Sequence, residues 1–177
     1  HAATWIAWPH NPEDWPGRFQ PIPWVYGDIV GKLARVEDVH ILVNDAAAEK
    51  RARNLLRRCG ADLSHVMFHL WPTDRVWLRD SGPIFLTPTP GNTTAPPLAL
   101  TNWKFNAWAK YDNWQLDDQI PERVSTLLSL PTWTPHIPMP DGLSHRVVLE
   151  GGSIDVNGAG VLLTTEECLL SEVQQRN

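Results

Sequence analysis

Between Val39 and Trp71 the hydrophobic pattern changes period twice, and this alternation constrains the fold more than any other feature of the chain. "VHILVN" (39–44) reads as a strand. Asn44 or Asp45 then stands where a helix N-cap belongs, and Ala48, Ala52, Leu55, Leu56 and Cys59 recur at helical spacing across Ala46–Cys59. Gly60 follows, as a residue that ends a helix should. "HVMFHLW" (65–71) returns to a strand pattern. Strand, helix and strand in about thirty residues predict a mixed α/β fold, since a bundle or a sandwich would keep one period throughout.

The same alternation runs through the rest of the chain. "TWIAWP" (4–9) predicts a strand that stops at Pro9, and a helix is expected over about Trp24–Val36. "GPIFL" (82–86) and "LALTNWKFN" (98–106) read as strands, separated by the proline-rich surface loop Thr87–Pro97. Asp118 is expected to cap a helix with Ile120, Val124, Leu127 and Leu128 on one face. "PTWTPHIPMPDG" (131–142) is a second proline-rich connection. Asn157-Gly158 is the strongest short hairpin signal, predicted to join strands at about Val147–Val156 and Gly160–Thr165. The polar end "SEVQQRN" follows a strand with no closing helix, and the chain opens on His1 rather than Met. It therefore reads as cut at both ends rather than finished. No repeat and no splitting linker is visible.

Composition narrows the function classes. A formal charge of −5 argues against a phosphate-binding surface, so no nucleic acid is expected as a partner. The one basic cluster, "EKRARNLLRR" (49–58), is read as the solvated face of an amphipathic helix. No apolar run approaches the length needed to span a bilayer, and no signal segment is evident, so no membrane association is expected. Two cysteines, Cys59 and Cys168, make neither a disulfide framework nor a CxxC site, and the seven histidines are not read as a zinc set. Neither metal nor cofactor is expected, and a reducing cytoplasm is the default location. "NTT" (92–94) is formally a glycosylation acceptor but is set aside. Ten tryptophans are many for 177 residues. They serve either as core and rim packing or as flat walls for a planar or cationic ligand.

Two places sit uneasily with simple burial. In "DRVWLRDSGPIFL" (74–86) the charges of Arg79 and Asp80 lie among residues that look ready to be buried. Such charges are costly unless paired. One reading is a structural ion pair or an Asp-Ser-Gly-Pro turn. In "LEGGSI" (149–154) Glu150 ends an apolar strand and two glycines follow, which would let backbone or ligand approach closely. Here the plain reading is a β-bulge with a solvent-facing glutamate. Taken together, however, these are two carboxylates at two strand ends, where α/β sheets assemble sites. Such a pair can do acid–base work or grip a cation. A guanidinium is the natural guest, because its planar fork meets a carboxylate with two parallel hydrogen bonds. Trp77 could offer it a flat face.

Four segments carry a resemblance: "HAATWIAWP", "WLRDSGP", "WKFNAWAKYDNWQLDDQIP" and "LEGGSIDVNGAGVLLTTEECLL". In this order they resemble the agmatine deiminase and bacterial-type peptidylarginine deiminase family, and they cover about the N-terminal half of such an enzyme. The resemblance implies a pentein fold, a partial α/β propeller of about two and a half ββαβ units. Residues 1–177 would form the N-terminal portion of a single catalytic domain whose C-terminal portion is absent. It implies cleavage of a guanidinium to a ureido group and ammonia without a cofactor. A cysteine thiolate attacks the guanidinium carbon, ammonia leaves, and water releases the thiouronium, with a histidine as general acid and base.

Residue by residue, Asp80 matches the aspartate that grips the guanidinium nitrogens. Glu150 matches a glutamate that touches the guanidinium or orients the histidine. Trp77 matches the aromatic residue lining the pocket, and Arg79 would hold the Asp80 loop. The family's His-x-Asp motif and its late nucleophilic cysteine are missing. None of His1, His10, His40, His65, His69, His136 and His145 is followed by x-Asp. Cys168 aligns with a non-catalytic position, and Cys59 is expected to pack inertly on a helix face. The chain alone is therefore expected to bind a small guanidinium (agmatine or an arginine side chain) weakly and not to turn it over. It is also expected to self-associate through faces that missing units would cover. The alternative from another class is a non-catalytic scaffold or binding module.

Overall fold

The computed structural model describes residues 2–139, 142–173 and 176–177. His1, together with parts of the 131–142 connection and of the polar end, lies outside the described residues. The chain divides into two compact units, His1–Leu78 and Arg79–Asn177.

The first unit runs β1 (Ala3–Ala7), α1 (Ile22–Leu33), β2 (Asp38–Leu42), α2 (Ala46–Arg58) and β3 (Val66–His69). Its strands form a parallel sheet in the order β1-β2-β3, with Ile6 beside Ile41 and Ile41 beside Phe68. Helix α1 starts at a Pro-Ile-Pro sequence, two residues earlier than predicted, and ends three residues sooner. Helix α2 follows its predicted signals. The Asp45 side chain accepts a hydrogen bond from the Ala48 N–H at 2.6 Å, and Gly60 turns out of the helix at φ +73°.

The helices bury Val30, Ala34, Ala48, Ala52 and Leu56 together with Val39, Ile41, Val43 and Val66 of the sheet strands and their ends. Each of the larger side chains contributes roughly 1.5–3 kcal/mol of burial. The two helices meet closely at Gly27. A Cβ there would stand 2.7 Å from both Cys59 Sγ and Leu55 Cδ2, so Cys59 is packed as expected. The basic cluster of α2 is local: Arg53 pairs with Glu49 at 2.7 Å and lies over the Phe68 ring, and Arg58 lies over Trp24.

Strand alternation puts a polar aromatic group on the opposite face of this sheet. Trp5 lies over His40, with centroids 4.0 Å apart, and His40 Nδ1 is hydrogen-bonded to His69 Nε2 at 2.8 Å in rings within 2° of parallel. Trp71 flanks His69. Several of the tryptophans are thus packing residues. His65 and His69 do stand at a four-residue spacing that the sequence reading passed over. They lie at one end of and just before an extended strand rather than on a helix face, and they bond to Asp38 and His40 respectively.

The second unit opens within α3 (Leu78–Ser81), a single turn. β4 (Ile84–Leu86), β5 (Ala99–Thr101), α4 (Ile120–Leu128) and β6 (Thr132–Trp133) follow. β4 is antiparallel to β5 and β5 is parallel to β6. Two hairpins come next, β7 (His136–Pro138) with β8 (Ser144–Arg146) and β9 (Ile154–Val156) with β10 (Leu162–Thr164), then α5 (Glu166–Leu170).

Several expectations are corrected here. Asp118 does not cap α4. It lies in the 3-10 turn before that helix, and its carboxylate accepts from the Phe105 N–H at 2.8 Å and pairs with Arg146. A charged partner and a loop amide outcompete the local cap. On α4, Ile120 and Val124 are buried, whereas Leu127 and Leu128 are 47% and 38% exposed. The first strand of the Asn157-Gly158 hairpin is shorter than Val147–Val156, because Gly151–Ser153 makes a 3-10 turn and Val148 pairs with Lys104 instead. A short helix, α5, capped by the Thr165 hydroxyl, stands where no closing helix was expected. No helix among the described residues is long and apolar enough to cross a membrane.

Candidate functional site

The two carboxylates singled out in the sequence come together within the second unit. Asp80 is carried by α3, just ahead of the Gly82-Pro83 turn into β4. Glu150 ends the segment that pairs with Lys104, where the main chain enters the 151–153 turn.

Glu150 is 1% exposed, which overturns the reading of a solvent-facing glutamate on a bulge. One of its oxygens, Oε1, accepts from Arg176 Nε at 3.1 Å. The other, Oε2, is buried and has no hydrogen-bond partner among the described residues. Leaving such an acceptor unmade costs about 1–3 kcal/mol, more for a charged group, so this oxygen calls for a donor.

Asp80 is held in the same place by different means. The Gly152 backbone lies directly against its carboxylate. Burial pushes its pKa above the ordinary carboxylate value, and the charge of Glu150 pushes it further. The Gly152 N–H, the Trp108 indole and the Arg79 guanidinium pull the other way. The groups packed against Asp80 come from distant sequence, the Gly152 backbone and Glu150.

The paired glycines make this approach possible. A Cβ on Gly152 would overlap the Asp80 carboxylate, and one on Gly151 would overlap the Arg79 carbonyl oxygen. Arg79 itself donates from Nη2 to the Ile154 carbonyl at 3.2 Å, tying α3 to the start of β9.

Trp108, whose indole favours the ionised form of Asp80, stands on an unusual backbone. Ala107, Trp108 and Ala109 all adopt the left-handed region, with φ of 50°, 62° and 54°. Roughly 1–2 kcal/mol of strain attaches to each such residue that is not glycine. The turn is locked by the Asn106 side chain, which accepts from the Ala109 N–H at 3.1 Å, and by complete burial of Ala107. Phe105 and Tyr111 each meet the Trp108 ring edge-to-face.

Of the residues proposed from sequence, Asp80 and Glu150 share one site. Trp77 closes the first unit and is 40% exposed. Cys59 is half-buried at the end of α2, and Cys168 is half-buried in α5. Sequence reasoning missed Trp108, Gly152 and Arg176. The Gly-Gly pair did signal close approach, and Trp108 lies inside one of the quoted motifs, but nothing in "QQRN" marked Arg176.

Paired carboxylates, one buried with an open acceptor and one half-buried, are equipped to hold a cation with several N–H donors. The chain is 34% identical to the agmatine deiminase of Pseudomonas syringae pv. tomato over 95% of its length and 42% of that protein's. It is 31% identical to the agmatine deiminase of Ectopseudomonas mendocina over 97% of its length and 42% of the relative's. The chain thus spans less than half the length of the curated relatives it matches. Its fold superposes on the agmatine deiminase of Enterococcus faecalis with a TM-score of 0.75 at 24% identity, covering 99% of this chain and 44% of that one. All of residues 1–177 match one family along their whole length, so the chain belongs to the Porphyromonas-type peptidyl-arginine deiminase family.

Proposed function

We propose that this chain supplies the guanidinium-gripping part of an amidino-group hydrolase that converts agmatine and water to N-carbamoylputrescine and ammonia. The observation that carries this reading is the open, buried Oε2 of Glu150 beside the Asp80 carboxylate. A guanidinium offers five N–H donors in a plane and one positive charge. It could satisfy the idle oxygen and neutralise the repulsion between the two acids at once. Asp80 and Glu150 take the catalytic-site positions, with Asp80 holding the guanidinium nitrogens.

The nucleophilic cysteine and the His-x-Asp acid–base pair come from residues outside this sequence. Once they are present, thiolate attack at the guanidinium carbon forms a C–S bond and expels ammonia, which takes its proton from the histidine. Water then adds at the same carbon, gives its proton to the histidine, and the C–S bond breaks to leave the ureido product. The strand-strand-helix-strand run from β4 to β6 serves as one ββαβ unit of a pentein propeller, and the chain forms part of a single catalytic domain working in the cytoplasm. The family to which the chain belongs favours one second reading, in which the same carboxylates hold the guanidinium of a peptidyl arginine.

Calorimetric titration of agmatine into the chain tests the reading. Weak binding is expected, falling at least tenfold in Asp80→Asn, since removing one partner of a charge-assisted pair typically costs more than 1.4 kcal/mol. If the chain binds no agmatine, or the Asn variant binds it equally well, the assignment fails.

A further inference from the structure

The segment that carries Glu150 is held along both of its edges. On one edge it meets the Lys104 main chain: the Lys104 N–H donates to the Val147 carbonyl at 2.9 Å, and the Leu149 N–H donates to the Lys104 carbonyl at 3.2 Å. On the other edge a side chain takes the place of a strand. Asn177 Oδ1 accepts from the Val148 N–H at 2.8 Å, and Asn177 Nδ2 donates to the Val148 carbonyl at 3.1 Å. One amide thus satisfies both main-chain groups of a residue two positions before Glu150.

The neighbour of Asn177 reaches the carboxylate itself. Arg176 Nε donates to Glu150 Oε1 at 3.1 Å, with the two side chains 6% and 1% exposed. Arg176 and Asn177 therefore grip the side chain and the backbone of one short segment. A buried ion pair benefits from such reinforcement, because desolvation offsets much of its Coulomb attraction. The grip is also one-sided. An arginine commonly meets a carboxylate with two parallel bonds, yet here Oε1 is engaged while buried Oε2 has no hydrogen-bond partner among the described residues. The same segment runs on into Gly152, whose backbone lies against the Asp80 carboxylate.

We propose that Arg176 is a positioning residue: anchored through Asn177, it fixes Glu150 by Oε1 so that Oε2 is presented to a guanidinium guest. The guest rests on the function proposed above, whereas the clamp on Glu150 does not. Arg176 offsets the charge of Glu150 without covering the open oxygen. With Arg176 removed, Glu150 would be a deeply buried carboxylate lacking its cation, a costly state. It would give up its charge or its place, and either loss weakens the hold on a guest. An arginine that merely competed for Glu150 would do the opposite, since its removal would open the site and tighten binding.

Calorimetry with n-butylguanidinium on the parent, Glu150→Gln, Arg176→Gln and the double variant tests the role. Each single variant should bind about tenfold more weakly, the size of one lost charge-assisted contact. The double variant should bind no more weakly than Glu150→Gln, because Arg176 acts only through Glu150, whereas general structural damage would add to the loss. The double variant holds no uncompensated carboxylate, so this comparison stands even should Arg176→Gln fail to fold. Melting temperatures read the clamp without ligand: Arg176→Gln should lower that of the parent but hardly that of Glu150→Gln. Fully additive melting losses overturn the clamp. Unchanged or tighter binding in Arg176→Gln, or a double variant clearly weaker than Glu150→Gln, overturns the positioning role and leaves the reading of the site standing. A parent that binds no n-butylguanidinium, or a Glu150→Gln variant that binds it equally well, overturns that reading and the positioning role with it.

Discussion

The two units reach stability by different routes. In the first, one apolar cluster between two helices and a parallel sheet does most of the work, and the polar groups on the other face of the sheet are neutral rings stacked on tryptophan. In the second, strands are only two or three residues long, and the buried set includes Glu150, Asp117, Ser81 and Asn102 beside fewer apolar side chains than the first unit buries. Order there depends on glycine clearances, a left-handed turn and charge-assisted bonds. A unit held by apolar area tolerates local changes gradually, whereas one held by specific close approaches fails at particular atoms. The candidate site lies in the second kind, where groups can be forced into positions that a plain core would not allow.

The sharpest way to break this comparison is Gly151→Ala. The added carbon would meet the Arg79 carbonyl oxygen, a backbone atom with no flexible end to move aside. A loss of about 3 kcal/mol is expected, at the upper end of overpacking effects. Hydrogen exchange should show it as roughly a hundredfold faster opening of the β4 and β5 amides. By contrast, Gly27→Ala meets only the ends of the Cys59 and Leu55 side chains, which can shift. Exchange in β4 and β5 left as slow as in the parent would mean that the second unit is not held by this clearance.

That contrast also explains what could be read in advance. The first unit was legible because its signals are local and repeated: Asp45 capping, Gly60 ending, and Ala48, Ala52 and Leu56 at helical spacing. The second was legible only in outline. Asp118 looked like a cap because nothing in the sequence says that Arg146 and the Phe105 amide reach the same carboxylate. Asp80 and Glu150 stood out as charges in apolar surroundings, and that anomaly is a chemical one that survives without coordinates. Their surroundings did not stand out. Nothing marked Arg176 as the partner of Glu150, and the left-handed alanines beside Trp108 carry no sequence mark as glycine does.

A pH series sharpens the comparison from the side of the first unit. Burial lowers the pKa of both His40 and His69, and for His69 burial and the adjacent His40 bring it to about 4. The unfolded chain binds protons on these rings near 6.5, while the native state refuses one until about 4. Stability should therefore rise with pH between about 4 and 6.5 and fall away as the pH drops through that window. Partial exposure of the rings reduces the effect to about 2 kcal/mol. Melting curves of the parent and His69→Gln between pH 4.5 and 7 should differ in slope by that amount. Parallel slopes would show that His69 is not kept neutral by the fold.

The smallest effect comes from the second unit and has the opposite sign. The folded-state pKa of Asp80 is raised, chiefly by burial and next by Glu150. Between the unfolded value and the raised one, the native state holds a proton that the unfolded chain has released. Stability contributed by this group is thus complete below the unfolded pKa and diminishes as pH rises through the folded one. At pH 7 the ionised carboxylate is a cost that the apo chain bears, and a bound cation would relieve it. Asp80→Asn removes that cost at nearly the same side-chain volume. The variant should melt about 2 °C higher than the parent at pH 7, as relief of up to about 1 kcal/mol gives in a chain of this size, and the gap should close below pH 4. A variant less stable than its parent at neutral pH would mean that the Asp80 charge is stabilised by its surroundings as they stand, and that no guest is needed to justify its burial.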